Sequence, residues 1–276
     1  MFIKKLTAIL LIASTACFAS CSQNNNDIPE NALSVHYPTD EITYILPGEY
    51  PEEYAEDAET MKWGYNVYVS HINGGEKLIL SGNRNEGLGQ TSNTESGIYY
   101  RSGEWFGYEG GVYLGSEKVI SEECAGMAAS WGDGDELLII TNTENNSYVY
   151  GAKLTDGKWE LDRESRIELG ARTKFIYYDW AYYPIMTVSP AETMYVVTEN
   201  GLVLLSVGDY LDGACRDFST VKKTAVKIPE YWNYLRPTSA VELGGKLYIG
   251  DKLGVVEFDI VTSAFTYYPV DIKSRK

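Results

Sequence analysis

The sequence predicts an all-β fold, a β-propeller of four short-stranded blades, on three recurring features. An apolar run of five residues returns four times: Lys77-Leu78-Ile79-Leu80-Ser81, Glu136-Leu137-Leu138-Ile139-Ile140, Thr193-Met194-Tyr195-Val196-Val197 and Lys246-Leu247-Tyr248-Ile249-Gly250, with starts 59, 57 and 53 residues apart. A tight turn before an aromatic also returns, closely in Ser102-Gly103-Glu104-Trp105 and Asp156-Gly157-Lys158-Trp159 and loosely in Thr262-Ser263-Ala264-Phe265. Asp-Gly between apolar runs is the strongest short hairpin signal, because Gly accepts the positive φ of a type I′ turn. The third feature is a Trp-x-Tyr element: Trp63-Gly64-Tyr65, Trp180-Ala181-Tyr182 and Trp232-Asn233-Tyr234.

Each apolar run reads as the second strand of a unit. Runs apolar at nearly every position are buried on both faces, as inner strands of stacked sheets are. Third strands follow over 97–101, 148–154, 202–207 and 255–260, and the turn-plus-aromatic element leads into the fourth, with an expanded hairpin over 209–218 in the third unit. Four units of about 53 residues result. None can bury both faces of its own sheet, and radial stacking solves that problem. A strand over 41–46 either closes the ring against the last blade or starts a fifth. The alternative folds are a β-sandwich and a β-solenoid. The acidic stretch 47–59 suits one or two helical turns or a covering loop.

Upstream of the repeats, residues 1–20 have a targeting pattern. Lys4 and Lys5 precede an apolar run of about eleven residues, too short to span a bilayer as a stable helix. Phe18-Ala19-Ser20-Cys21 then places an apolar residue and two small residues before a cysteine. This resembles the lipobox of bacterial lipoproteins, with Phe where Leu is usual. The resemblance implies diacylglycerol on the Cys21 thiol, cleavage before Cys21, and an extracytoplasmic, lipid-anchored location in the cell envelope. Residues 21–40 open with Ser22-Gln23-Asn24-Asn25-Asn26-Asp27 and read as a flexible tether, leaving 41–276 as the folded domain.

If the strands are as read, the Trp-x-Tyr elements fall in loops between blades or at the start of the first strand, and share one face. The second unit departs from the pattern, with Glu123-Cys124-Ala125 in that place. The expected binding face comprises Trp63, Tyr65, Tyr178, Asp179, Trp180, Tyr182, Trp232, Tyr234 and Arg236, with Asp179 and Arg236 as polar anchors. Aromatic rings stack on sugar faces and on peptides, so a glycan, a peptide or an envelope protein is the expected partner. The competing reading is that these rings wedge between blades and serve packing alone.

Charge and composition narrow the chemistry. The net charge is −16, and removal of residues 1–20 leaves −18. Nucleic acid is therefore not an expected partner, because phosphate binding needs clustered Lys and Arg. His36, placed in the tether, and His71 are the two histidines, too few for a histidine metal cluster. Asp133-Gly134-Asp135-Glu136 gathers carboxylates but lacks the later ligands of a calcium loop. No Gly-x-Ser-x-Gly elbow and no phosphate-cradling glycine loop occurs. Neither cofactor nor metal is expected. Cys124 and Cys215 remain after processing, and export would permit a disulfide between them. The resulting expectation is a membrane-anchored binding module. The alternatives are an enzyme of polysaccharide metabolism using carboxylates on the aromatic face, and a structural subunit of an envelope complex.

Overall fold

A computed structural model describes residues 31–36, 42–60, 64–72, 74–81, 93–94, 97–100, 104–108, 110–129, 135–178, 181–184, 186–188, 193–211 and 217–270. The fold is all-β. Its strands form five sheets of four or five strands and one separate hairpin among the described residues.

The five sheets follow one another along the chain. The first joins Asn66–Ile72 to Gly75–Ser81 and, beyond it, Leu33–His36 and Ile42–Ile45. The second is a five-stranded meander from Asn93–Thr94 to Glu117–Ile120. The third runs Glu123–Ala129, Glu136–Asn142, Ser147–Thr155, Lys158–Glu168. The fourth runs Met186–Val188, Thr193–Thr198, Gly201–Ser206, Lys222–Val226. The fifth runs Pro237–Leu243, Lys246–Asp251, Gly254–Asp259, Phe265–Pro269. All four apolar runs are second strands, as expected. The turns between strands also match: Asp156 and Gly157 have φ of 51° and 75°, the left-handed pair that a type I′ hairpin requires.

Period-two alternation explains why the second strands are apolar throughout. Leu137 and Ile139 pack against Trp105 and Val112 of the second sheet, whereas Leu138 and Ile140 pack against Val196 and Leu205 of the fourth. Val197 then faces Leu247, Ile249 and Val256 of the fifth sheet, and Tyr248 and Val255 face Val67, Leu78 and Leu80 of the first. The second strands of the third, fourth and fifth sheets thus each lie between two neighbouring sheets, so neither of their faces meets water.

The fifth sheet thus returns to the first. Val67 N donates to Ser239 Oγ at 2.8 Å, Tyr65 N donates to Asp251 O at 3.1 Å, and Thr238 Oγ1 donates to Tyr65 O. These bonds tie the strand that opens the first sheet to the strands that open the fifth.

Three expectations need correction. Residues 97–101 were assigned as third strand of the first unit; instead Gly97–Tyr100 pairs with Asn93–Thr94 and Trp105–Tyr108 inside a separate second sheet. The first sheet takes its outer strands from upstream: Leu33–His36 lies parallel to Gly75–Ser81 through the pair His36↔Ile79, and Ile42–Ile45 lies antiparallel outside it. Residues 33–36, expected within the tether, are therefore sheet, with Leu33 and Val35 buried. Cys124, expected in a loop between blades, belongs to the strand Glu123–Ala129 that opens the third sheet. The stretch 47–59 does turn helical, as the 3₁₀ turn Glu52–Tyr54 and the helix Ala55–Thr60. Cys124 is a free buried thiol, pushed up to about 12 by burial, and Cys215 lies outside the described residues.

Candidate functional site

The connection into the fifth sheet contains the 3₁₀ helix Glu230–Tyr234, which carries the last Trp-x-Tyr element. Pro229 at its N-terminus suits a helical start. The turn sends alternate rings to opposite sides. Trp232 goes inward: it is fully buried, packs edge-on to Phe265 at 5.8 Å, and donates from Nε1 to Thr198 O at 3.0 Å. Tyr231 and Tyr234 instead flank Tyr50, which arrives from the connection between Ile42–Ile45 and Asn66–Ile72 within the first sheet. Tyr50 stacks on Tyr231 at 5.6 Å and on Tyr234 at 6.2 Å, and its hydroxyl donates to Tyr234 O at 2.9 Å. Tyr267, from the outermost strand of the fifth sheet, meets Tyr50 and Tyr231 edge-on at 5.0 and 5.5 Å.

Behind this four-tyrosine cluster sits Asp251, fully buried at the end of the second strand of the fifth sheet. It accepts from Arg236 N at 2.6 Å and Leu253 N at 3.1 Å, and from the Tyr267 hydroxyl at 3.2 Å. Burial raises its carboxyl above the usual range, opposed by the backbone N–H bonds. Burial and the Asp251 charge raise the Tyr267 and Tyr231 hydroxyls, Tyr231 to about 12. Lys174 approaches from the other side and donates to Trp232 O at 3.0 Å and Leu235 O at 2.9 Å, closing the end of the 3₁₀ helix. Burial and then the Arg236 charge lower it to about 8, with Asp251 and Glu199 opposing.

Lys174 has a pH signature. Its folded value lies below the ordinary 10.5 of the unfolded chain, so between about pH 8 and 10 the unfolded state holds the extra proton. Stability therefore rises with pH across that window, until the tyrosines, raised in the folded state, begin to ionise in the unfolded chain near pH 10. Thermal melting from pH 7.5 to 10 should show the rise, and Lys174→Met should flatten it.

On the solvent side of the cluster lies a groove of about 640 Å³, the size of an ordinary ligand site. Its aromatic wall is Tyr50, Tyr231, Phe265 and Tyr267, and its rim is Glu49, Glu52, Glu53 and Glu230. All four rim carboxylates are exposed. A second cavity, of about 620 Å³, opens between the first and fifth sheets. There Glu257 receives Lys246 Nζ at 2.6 Å and the hydroxyls of Tyr248 and Tyr268. These polar groups of the second cavity are matched to one another within the fifth sheet. Those of the groove face outward.

Of the predicted binding residues, the structure brings Tyr234 and Arg236 to the tyrosine cluster. Tyr234 is 42% exposed. Arg236 is turned back, with Nη1 donating to Asn233 O and Leu235 O, each at 3.1 Å. Trp232 and Tyr65 are core residues, a correction of their placement on a binding face. Tyr178 and Tyr182 lie in the hairpin Phe175–Tyr178 and Ala181–Pro184 rather than in an open loop. Trp63, Asp179 and Trp180 lie outside the described residues. Tyr50, Tyr267 and Asp251 were not predicted. Tyr50 stands in the acidic stretch and Tyr267 in a closing strand, and neither position carries a local pattern that marks a site.

No family model matches the chain, and no curated protein matches it. Among solved structures, a crystal structure of a protein from Lactobacillus plantarum is similar at 12% identity with a TM-score of 0.37. The match covers 75% of this chain and spans 65% of that one. At that level the likeness carries no argument about either fold or function.

Proposed function

We propose that this chain is a lipid-anchored, extracytoplasmic binding module. Its five successive sheets close into a propeller-like ring, and its ligand lies on the tyrosine groove. The observation that carries the reading is that groove: aromatic walls held rigid by mutual stacking and by Asp251, opening to solvent between two connections on the fifth sheet. Support for the ring is the spatial order of the sheets, in which the fifth packs on the first. Each sheet would be one blade, five in all, the larger of the two counts the sequence allowed. The lipobox-like Phe18-Ala19-Ser20-Cys21 supports the anchor.

Binding is favoured over catalysis by the state of the carboxylates. A general acid needs a carboxyl shielded from water. The carboxylates that reach the groove are exposed, and the buried one, Asp251, is held by main-chain and tyrosine donors behind the wall.

Two experiments test the reading. Wild-type protein and Tyr234→Ala are compared on an array of glycans and peptides. A ligand held by wild type, weakened at least about fivefold by Tyr234→Ala at an unchanged melting temperature, is the expected result; a ligand indifferent to Tyr234 and to Tyr231→Ala would place binding elsewhere. For the anchor, Cys21→Ser should move the protein from the membrane fraction to the soluble fraction and abolish fatty-acid labelling.

A further inference from the structure

The groove is bounded by a strand edge. Phe265–Pro269 is the last strand of the fifth sheet and, among the described residues, has Gly254–Asp259 as its strand partner. Val270 N donates to Leu253 O at 3.0 Å and Asp259 N donates to Ala264 O at 2.9 Å. These are hydrogen-bonded pairs of the antiparallel ladder, and such pairs alternate with non-bonded ones. The pairs Val256↔Tyr267 and Phe258↔Phe265 are therefore non-bonded, and the main-chain groups of Tyr267 and Phe265 turn away from the sheet. Tyr267 O is taken by Gly48 N at 2.9 Å. The N–H and C=O of Phe265 remain directed past the edge, beside the groove.

Three further features describe what would fit there. Glu49, Glu52, Glu53 and Glu230 form no ion pair and no side-chain hydrogen bond, and no lysine or arginine lines the groove. No group of three ligating side chains among the described residues is close enough to hold a metal ion. The Tyr231 hydroxyl is buried in the wall with no hydrogen-bond partner.

We infer that the groove takes an extended peptide segment bearing Lys or Arg at alternate positions, added as a strand beside Phe265; this rests on the binding-module reading above. An added strand finds its main-chain partners in the N–H and C=O of Phe265, as edge strands offer. Its alternate side chains project to one side with a spacing of about 6.6–6.8 Å, which sets a row of cations against the acidic rim. A polyamine would match the charge but has no amide backbone for the edge.

The test uses the full chain and a fluorescein-labelled Lys-Val-Lys-Val-Lys-Val peptide, read by anisotropy at 0.15 M salt. Comparators are the same peptide N-methylated at alternate amides, its Glu-for-Lys counterpart, and spermine as competitor. The Lys peptide should bind, the N-methylated form at least about tenfold more weakly, and the Glu form not at all. The double variant Glu52→Gln/Glu230→Gln should weaken binding about tenfold with the melting temperature unchanged. Equal binding of parent and N-methylated peptide, or equally effective spermine, overturns strand addition. Unchanged binding to the double variant overturns the assignment to this groove. A glycan that needs Tyr234, with no peptide bound, overturns this inference and leaves the binding module standing; failure of both classes overturns both.

Discussion

Replacing Trp232 with alanine will destabilise the protein by roughly 3–5 kcal/mol, the range for large aromatic-to-alanine changes in a core. The ring is fully buried where the fourth and fifth sheets meet, among Val197, Leu202, Leu247, Ile249 and Phe258. Its truncation leaves a cavity that the stacked sheets can collapse into only partly. It also strips the Nε1 donor from Thr198 O at a buried site. Urea unfolding followed by tryptophan-independent circular dichroism should give a lowered midpoint at unchanged slope. Trp232→Phe should recover most of the packing but not the Thr198 bond, and should retain a deficit of about 1 kcal/mol or more. Wild-type stability in Trp232→Ala, with loss of ligand binding, would return Trp232 to the binding face on which its sequence context had placed it.

The contrast between Trp232 and Tyr234 shows what local sequence carries. Both belong to one Trp-x-Tyr element. In an extended loop, positions two apart point the same way, so both would line one face. The element is instead a 3₁₀ turn, and the turn sends Trp232 inward and leaves Tyr234 outside. The recurrence was visible in the sequence; the direction of each ring depended on a helical turn of five residues, too short for a hydrophobic period to register.

The sheet count follows a similar logic. The apolar second strands were legible because each is buried on both faces, and that leaves a continuous apolar run. The spacing of 59 residues between the first two runs looked like one period, yet it contains a whole extra sheet. It fits because the first sheet borrows its outer strands from residues 33–45, upstream of its inner pair. Within the second sheet no comparable run exists: Trp105–Tyr108 and Gly111–Leu114 are four residues each, with Gly107 and Gly111 among them. Gly107 is demanded by packing, since a Cβ there would lie 2.2 Å from Cys124 Sγ. The tyrosine cluster was hidden for a different reason. It joins residues 50, 231, 234 and 267, and only the closure of the fifth sheet on the first brings the earliest of them to the others.

Asp251→Ala will be the most damaging polar substitution, with a loss of about 3 kcal/mol or more. The carboxylate is the shared acceptor for Arg236 N, Leu253 N and the Tyr267 hydroxyl. Each buried donor stranded by its removal costs roughly 1–3 kcal/mol, with less than full additivity because the three share one site. Asp251→Asn retains one acceptor oxygen and should lose distinctly less. The sign of the pH effect follows from burial. The carboxyl titrates above its unfolded value of 3.8, so its contribution is fully present below about pH 4 and declines as pH rises through the folded value. The difference between wild type and Asp251→Asn should therefore narrow as the pH rises above about 4. Either substitution also frees the Tyr267 hydroxyl and loosens the ring that braces Tyr50 and Tyr231. Stability and recognition are thereby coupled at one residue: a ligand bound in the groove should raise the melting temperature of wild type by mass action. In Asp251→Asn, ligand of equal concentration should raise it less, because part of the binding free energy goes into re-ordering the tyrosines. An equal ligand-induced shift in the two proteins would separate the buried carboxylate from the groove and reduce Asp251 to a structural tie between sheets.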